Sequence, residues 1–435
     1  MFRSSSAGRA LPKSPASGRA GRSPARPVLV ALTVAAAGSA ALPAHAAKDY
    51  TEVLVTTARL GDIEFDWGRD GVDCPSCNGG YGNSRFNWVD RQNRLWVGYV
   101  DFNTGFMYPP DGRGVLVDTS AAYYSDFGNG PEWVFSQAGS ELIYTRYTPG
   151  VPPTPETTGI GLAKIVNGSW TAGFIDDGRE RITPGPSQSV GDAVPLVTYA
   201  SDTGPSIYWR KLGDPVGAEQ VAPWKSTGLS VRWVPNSTKL VFVNGVKHED
   251  GNRYQQVLLF DTATNVVEQL TFDATEKRGA FMFPAPEFGG DMVFFTVASR
   301  TKLRVYRYMA DGSGNRNWTL INTITAPSDV PYIATPEPFF HNGRTWLFMT
   351  LSRSKRASDV TVPTDLAITG IDPAKPSFRR LTGKKSPVRL RQDPEYFITA
   401  NGPYLYFSRA IPGTETSAPI NEGEYRIDLG LGPRK

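Results

Sequence analysis

The chain has 435 residues, with 44 glycines, 35 prolines, 11% aromatics and a formal charge of +4. No long amphipathic helical period runs through it, which excludes a helix bundle. Many short apolar runs between turn residues argue for an all-β fold. The positive charge is no argument for nucleic acid: Arg3, Arg9, Lys13, Arg19, Arg22 and Arg26 lie in a leading segment without an acid, and +4 less those six cations is −2.

That leader reads as a signal peptide over residues 1–46. The apolar run from Val28 to Leu42 is too short to span a bilayer with any margin, and Ala44-His45-Ala46 after it is a small-x-small cleavage site. There is no Arg-Arg pair of a twin-arginine signal and no cysteine at the cleavage site for a lipid anchor. A periplasmic or secreted protein without a membrane anchor is expected, with one domain over residues 47–435.

Both cysteines, Cys74 and Cys77, fall in the Gly/Asp-rich stretch from Asp62 to Gly82. In an exported protein they are expected to form a local disulfide. A redox motif needs a βαβ context that is missing, and haem attachment needs a histidine where Asn78 stands. Two cysteines do not close a structural zinc site.

Strand–turn–strand units begin near Arg85, Glu132, Asp192, Arg232, Pro284, Glu337 and Glu395, 40 to 60 residues apart. Three share one plan. Pro131-Glu132-Trp133-Val134-Phe135 precedes Ala138-Gly139, Pro336-Glu337-Pro338-Phe339-Phe340 precedes Asn342-Gly343, and Pro394-Glu395-Tyr396-Phe397 precedes Asn401-Gly402. Asn-Gly is the strongest short hairpin signal, because both turn residues need positive φ. Most units continue into a second strand pair, such as Val257–Phe260 with Val266–Leu270. Four strands per unit, repeated, predict a β-propeller. Seven blades are expected, or six if the weak unit at Asp192 is not one. The last unit has three strands, and Val53–Thr57 is expected to pair with Tyr425–Leu429 and close the ring.

Val231-Arg232-Trp233-Val234-Pro235-Asn236-Ser237-Thr238-Lys239-Leu240-Val241-Phe242 resembles a repeat of TolB-like propellers. The Pro-Glu-x-Phe, Asn-Gly and Tyr-Leu-Tyr units look more like the propellers of glycoside hydrolase family 43 and related sugar-active proteins. The resemblance covers most of the chain after the leader at repeat level. It implies a carbohydrate-active protein; family 43 enzymes are five-bladed and use three carboxylates, so a count of seven departs from them. Seven-bladed polysaccharide lyases are the other sugar-active group of this architecture.

The repeat register sorts residues by face. The starts of innermost strands and the second-to-third strand connections share one face, here called upper. Glu132, Asp192, Arg232, Glu337, Asp393 and Glu395 are expected to ring the channel mouth there, joined by Asp101, Arg146, Tyr147, His248, Arg300, Arg353, Lys355 and Arg409. Converging carboxylates are what cleavage of a glycosidic bond requires, and arginines clamp a uronate or sulfate. His341, in the hairpin turn, belongs to the opposite, lower face.

The expected function is cleavage of a polysaccharide or oligosaccharide. As a hydrolase, the protein would use Glu337 or Glu395 as general acid, with Asp393, Glu132 or Asp192 as base or tuning partner. As a lyase on a uronate-containing glycan, it would use His248 or Tyr147 as base. Arg146, Tyr147, Arg232, Arg353 and Arg409 are the candidate substrate contacts. A non-catalytic, TolB-like binding propeller is the third reading. No Gly-x-Ser-x-Gly elbow, phosphate loop or dinucleotide fingerprint occurs. No cofactor is called for. A structural calcium ion stays open at Asp311-Gly312-Ser313-Gly314-Asn315, whose glycines are misplaced for an EF-hand. A monomer is expected.

Overall fold

A computed structural model describes residues 50–435 except 59, 61–62, 67–82, 109–113, 123–129, 137–138, 152–156, 176–180, 188–193, 202–205, 226–230 and 357. The signal peptide, the Cys74–Cys77 pair and Asp192 lie outside the described residues.

Seven antiparallel sheets make seven blades of a β-propeller. β1 (Glu52–Thr56) precedes the first blade, which holds β2 (Glu64–Phe65), β3 (Asn83–Val89), β4 (Leu95–Asp101), β5 (Met107–Tyr108) and β6 (Val115–Asp118). The second has β7 (Glu132–Ser136), β8 (Gly139–Tyr147), β9 (Thr158–Val166) and β10 (Ser169–Phe174). The third has β11 (Arg181–Pro186), β12 (Leu196–Ser201), β13 (Ser206–Lys211) and β14 (Gln220–Lys225). The fourth has β15 (Arg232–Trp233), β16 (Lys239–Lys247), β17 (Arg253–Asp261) and β18 (Val266–Gln269). The fifth has β19 (Lys277–Ala285), β20 (Asp291–Ala298), β21 (Lys302–Ala310) and β22 (Arg316–Thr325). The sixth has β23 (Tyr332–His341), β24 (Arg344–Ser352), β25 (Thr364–Gly370) and β26 (Arg379–Arg380). The seventh has β27 (Leu390–Thr399), β28 (Gly402–Ile411), β29 (Ile420–Asp428) and, as expected, β1, with Glu52 opposite Ile427 and Leu54 opposite Tyr425.

The first strand of each blade lines the channel. β2 touches β27 and β7, β11 touches β7 and β15, and β19 touches β15 and β23. Aromatic and aliphatic side chains fill the space between sheets. Phe65 meets Phe397 at 5.1 Å and Tyr406 edge-on at 5.2 Å, and Phe339 stacks on Tyr396 at 5.1 Å. Each such buried side chain stabilises the fold by roughly 1.5–3 kcal/mol.

The predicted turn at Asn342-Gly343 forms, with φ of 50° and 70°. The Asn401-Gly402 turn does not: Thr399 pairs with Gly402, so the loop is Ala400-Asn401. Gly402 has φ 121°, and a Cβ there would sit 2.3 Å from the Gly432 carbonyl.

Three innermost strands differ from expectation; in the fifth blade Pro284 lies near the end of Lys277–Ala285 and not at its start. In the first blade the innermost strand is Glu64–Phe65, and Arg85 lies on the second strand. Two residues carry no alternation to detect. The shift puts Asp101 on the lower face, where Phe102 O accepts the N–H of Ala400 at 2.9 Å. In the third blade the innermost strand is Arg181–Pro186, not one beginning at Asp192. Its two prolines read as a turn, yet an innermost strand is an edge strand, where proline is tolerated.

Four innermost strands carry the same irregularity, a residue with positive φ where the ladder slips. These are Thr183 (51°), Gly279 (52°), Thr335 (43°) and Asp393 (47°). Such a β-bulge re-aims the residues after it. The Pro-Glu repeat is part of this device. Glu337 and Glu395 follow the bulge in mid-strand, opposite Phe348 and Tyr406, and not at the strand starts Tyr332 and Leu390.

Candidate functional site

A cleft of about 270 Å³ opens on the upper face across blades four to six. The innermost strands give Arg232 of β15, Arg278 to Phe281 of β19 and Tyr332 to Glu337 of β23, and the second-to-third strand connections give Arg300, Ser354 and Lys355. Phe281, Val297 and Ile333 supply apolar surface. Arg232 lies over the Phe281 ring, 5.4 Å from its centroid, and Phe281 stacks on Phe295 at 5.4 Å.

Backbone strain gathers here. Ser299 and Arg300 form a tight turn with φ of 50° and 62°, a place that usually takes Asn-Gly. The bulge residues Gly279 and Thr335 line the same cleft. For a β-branched threonine a positive φ costs on the order of 1–3 kcal/mol, and such residues cluster at functional sites. The turn is fixed from two sides: Arg300 O accepts the Ile333 N–H at 2.8 Å, and the Arg300 guanidinium donates to the Lys355 carbonyl. Partial desolvation and then the nearby Arg300 charge lower the Arg278 pKa, with Glu276 acting the other way.

The structure brings Arg232, Arg300, Glu337 and Lys355 of the residues expected on the upper face into this cleft. Asp393 and Glu395 occupy the equivalent bulge of the neighbouring blade. Asp393 acts there on a group that the sequence did not reveal, Glu424 of β29. The Glu424 carboxyl is fully buried and accepts from Ser408 Oγ at 2.5 Å, while its Oε2 meets no donor among the described residues. Burial, and secondarily the Asp393 charge, push its pKa up to about 8. Glu132 is half-buried on β7, in the second blade.

Other candidates serve elsewhere. Arg146 is buried and pairs with Asp118 of the first blade at 2.6 Å, in a cluster where the Tyr144 hydroxyl also donates to Asp118. Tyr147 is buried at the end of β8. Arg409 pairs with Glu52 at 3.0 Å and Glu422 at 2.7 Å and lies on the Tyr425 ring. Both arginines are thus engaged by carboxylates of the fold. Arg353 is exposed and donates to the Asp329 carbonyl. His248 lies in the β16–β17 turn, 3.3 Å from Asp250 and edge-on to Tyr254, outside the cleft lining. His341 is buried on the lower face against Gly432 O at 2.9 Å. The Asp311 carboxylate accepts the backbone N–H groups of Ser313 and Asn315, which makes that stretch a hairpin turn.

Glu424 gives a testable linkage. Its folded pKa is raised, so between about 4.5 and 8 the native state holds a proton that the unfolded chain releases. Stability from this group is present at low pH and falls as pH rises through that window, by at most about 1.4 kcal/mol per pH unit. Glu424→Gln removes that slope, and melting temperatures of variant and parent should diverge from pH 5 to 8 in favour of the variant. Parallel curves would show that Glu424 ionises normally.

No family model matches the chain, and no curated protein sequence matches it. Among solved structures, an oligogalacturonate lyase from Vibrio parahaemolyticus is 10% identical, with 88% of this chain and 98% of that one covered and a TM-score of 0.49. The Dos1 propeller is 9% identical over 87% of this chain and 94% of its own, with a TM-score of 0.48. The Cps50 (Swd1) β-propeller domain from Myceliophteria thermophila is 12% identical over 87% and 99%, with a TM-score of 0.43. No activity transfers from these proteins at such identities. The chain is a seven-bladed β-propeller.

Proposed function

We propose that the protein is an exported, carbohydrate-active propeller that binds a polysaccharide at the upper-face cleft and cleaves its glycosidic bonds by carboxylate acid/base hydrolysis. The observation that supports this is the cleft itself. Glu337 is presented by a strained bulge beside apolar surface and the hydroxyl groups of Tyr332, Ser352 and Ser354. Sugar rings match such a surface, with apolar faces and hydroxyl rims. Glu395, at the equivalent register position in the next blade, is the second carboxylate. Glycosidic cleavage needs one carboxyl group to protonate the leaving oxygen and another to activate water or attack.

The test is product analysis on a panel of neutral and acidic polysaccharides. Hydrolysis yields new reducing ends without ultraviolet absorbance. An unsaturated, absorbing product would replace this reading by a lyase. Binding without any product would make the protein a TolB-like binding propeller, and the absence of both binding and cleavage would overturn the carbohydrate reading.

A further inference from the structure

Many arginines outside the cleft pair with carboxylates, such as Arg85 with Asp66, Arg181 with Glu219 and Arg307 with Asp291. In the cleft Arg232, Arg278, Arg300 and Lys355 stand together, and none of them forms an ion pair among the described residues. Among the described residues Glu337 is the one carboxylate in the lining. Like charges so placed repel one another, and folding alone gives no reason to gather them. The Arg300 fork is also held in place, because one of its nitrogens is tied to the Lys355 carbonyl while its turn is pinned by Ile333. A fixed guanidinium beside a second one is the arrangement that grips a planar oxyanion through paired N–H bonds.

We infer that Arg278 and Arg300 form an oxyanion clamp, so that the ligand of this cleft is an acidic glycan whose sugar carries a carboxylate or sulfate. This rests on the reading of the cleft as a glycan site and adds the substrate class to it. An oxyanion between the two guanidinium groups relieves their mutual repulsion. Lys355, and Arg232 on the Phe281 ring, extend the positive field along the cleft, which favours a chain with charge on successive units.

Calorimetric binding to the purified protein tests this with four probes: short oligogalacturonates, their methyl esters, a sulfated galactan oligosaccharide and inorganic phosphate. The expected result is binding of an acidic oligosaccharide that weakens with salt. Esterification, or Arg278→Gln, should weaken it about 10–100-fold, the size of losing a charge-assisted pair. Arg278→Lys should recover only part, since the charge returns without the fork. Preference between the carboxylated and sulfated probes identifies the substituent. Equal binding of acids and esters, unchanged in Arg278→Gln, overturns the clamp and leaves the glycan site standing. Phosphate binding lost in Arg278→Gln, with no oligosaccharide bound, keeps the oxyanion clamp and overturns the glycan. No binding of any probe overturns both.

Discussion

Glu52→Ala should lower the stability of the protein by about 3–5 kcal/mol, more than any surface substitution. Glu52 is 5% exposed and sits between two guanidinium groups. Arg391, 1% exposed, reaches Oε1 at 2.5 Å, and Arg409 reaches Oε2 at 3.0 Å. Among the described residues the Arg391 guanidinium otherwise donates to carbonyls, those of Thr364, Arg389 and Pro387. Its other nearby carboxylate, Asp365, is 4.0 Å away. Removing Glu52 therefore leaves a buried cation without its close counter-charge.

The loss falls on the strand that closes the ring. β1 is held by its ladder to β29 and by this ion pair, and its Val53 and Leu54 side chains are exposed. Gly423 belongs to the same joint, because its φ is 112° and a Cβ would lie 2.2 Å from the Thr56 carbonyl. If β1 detaches, the edge of β29 is free to pair with another chain. The expected readings are a melting temperature lower by about 6–10 °C, at roughly 2 °C per kcal/mol, and light scattering that rises with concentration near the transition. Arg353→Ala, on an exposed side chain, should melt with the parent. If Glu52→Ala also did, the closing strand would be secured by its backbone ladder alone.

How much of this was legible in the sequence depends on the kind of residue. The propeller and its closure were readable because they rest on local signals, an Asn-Gly turn at 342–343, a spare strand at 53–57 and a last unit one strand short. The innermost strands of blades one and three were not. Glu64-Phe65 is too short to show a period, and Arg181–Pro186 carries two prolines that only an edge position accommodates. The same blindness hid Arg278. With Pro284 taken as the start of its unit, the seven residues before it on β19 went unread. Arg146 and Arg409 had the right composition for ligand contacts. Their use is decided by Asp118 and Glu52, partners 28 and 357 residues away. Glu424 becomes unusual only through burial in three dimensions, which one strand pattern does not reveal.

Glu337→Gln should reduce turnover on the preferred polysaccharide by about 10²–10⁴ while leaving substrate affinity and melting temperature near the parent values. The substitution keeps the size of the side chain and its ability to hydrogen-bond. What it removes is the exchangeable proton and the negative charge, so a loss confined to turnover separates proton transfer from packing. Glu395→Gln on the neighbouring innermost strand should act in the same direction, since the two glutamates hold the same place after the same bulge. His341→Ala supplies the contrast. His341 is on the lower face, buried against Gly432 and next to Asn342, and desolvation keeps its pKa below the usual range, so it is a neutral packing residue at pH 7. Its removal should lower the melting temperature and leave turnover per folded molecule unchanged. The decisive measurement is initial rate against substrate concentration for the three variants, each checked for fold by circular dichroism. If both glutamine variants turn over like the parent, while folded His341→Ala does not, the chemistry lies on the lower face and the cleft at Glu337 is not its seat.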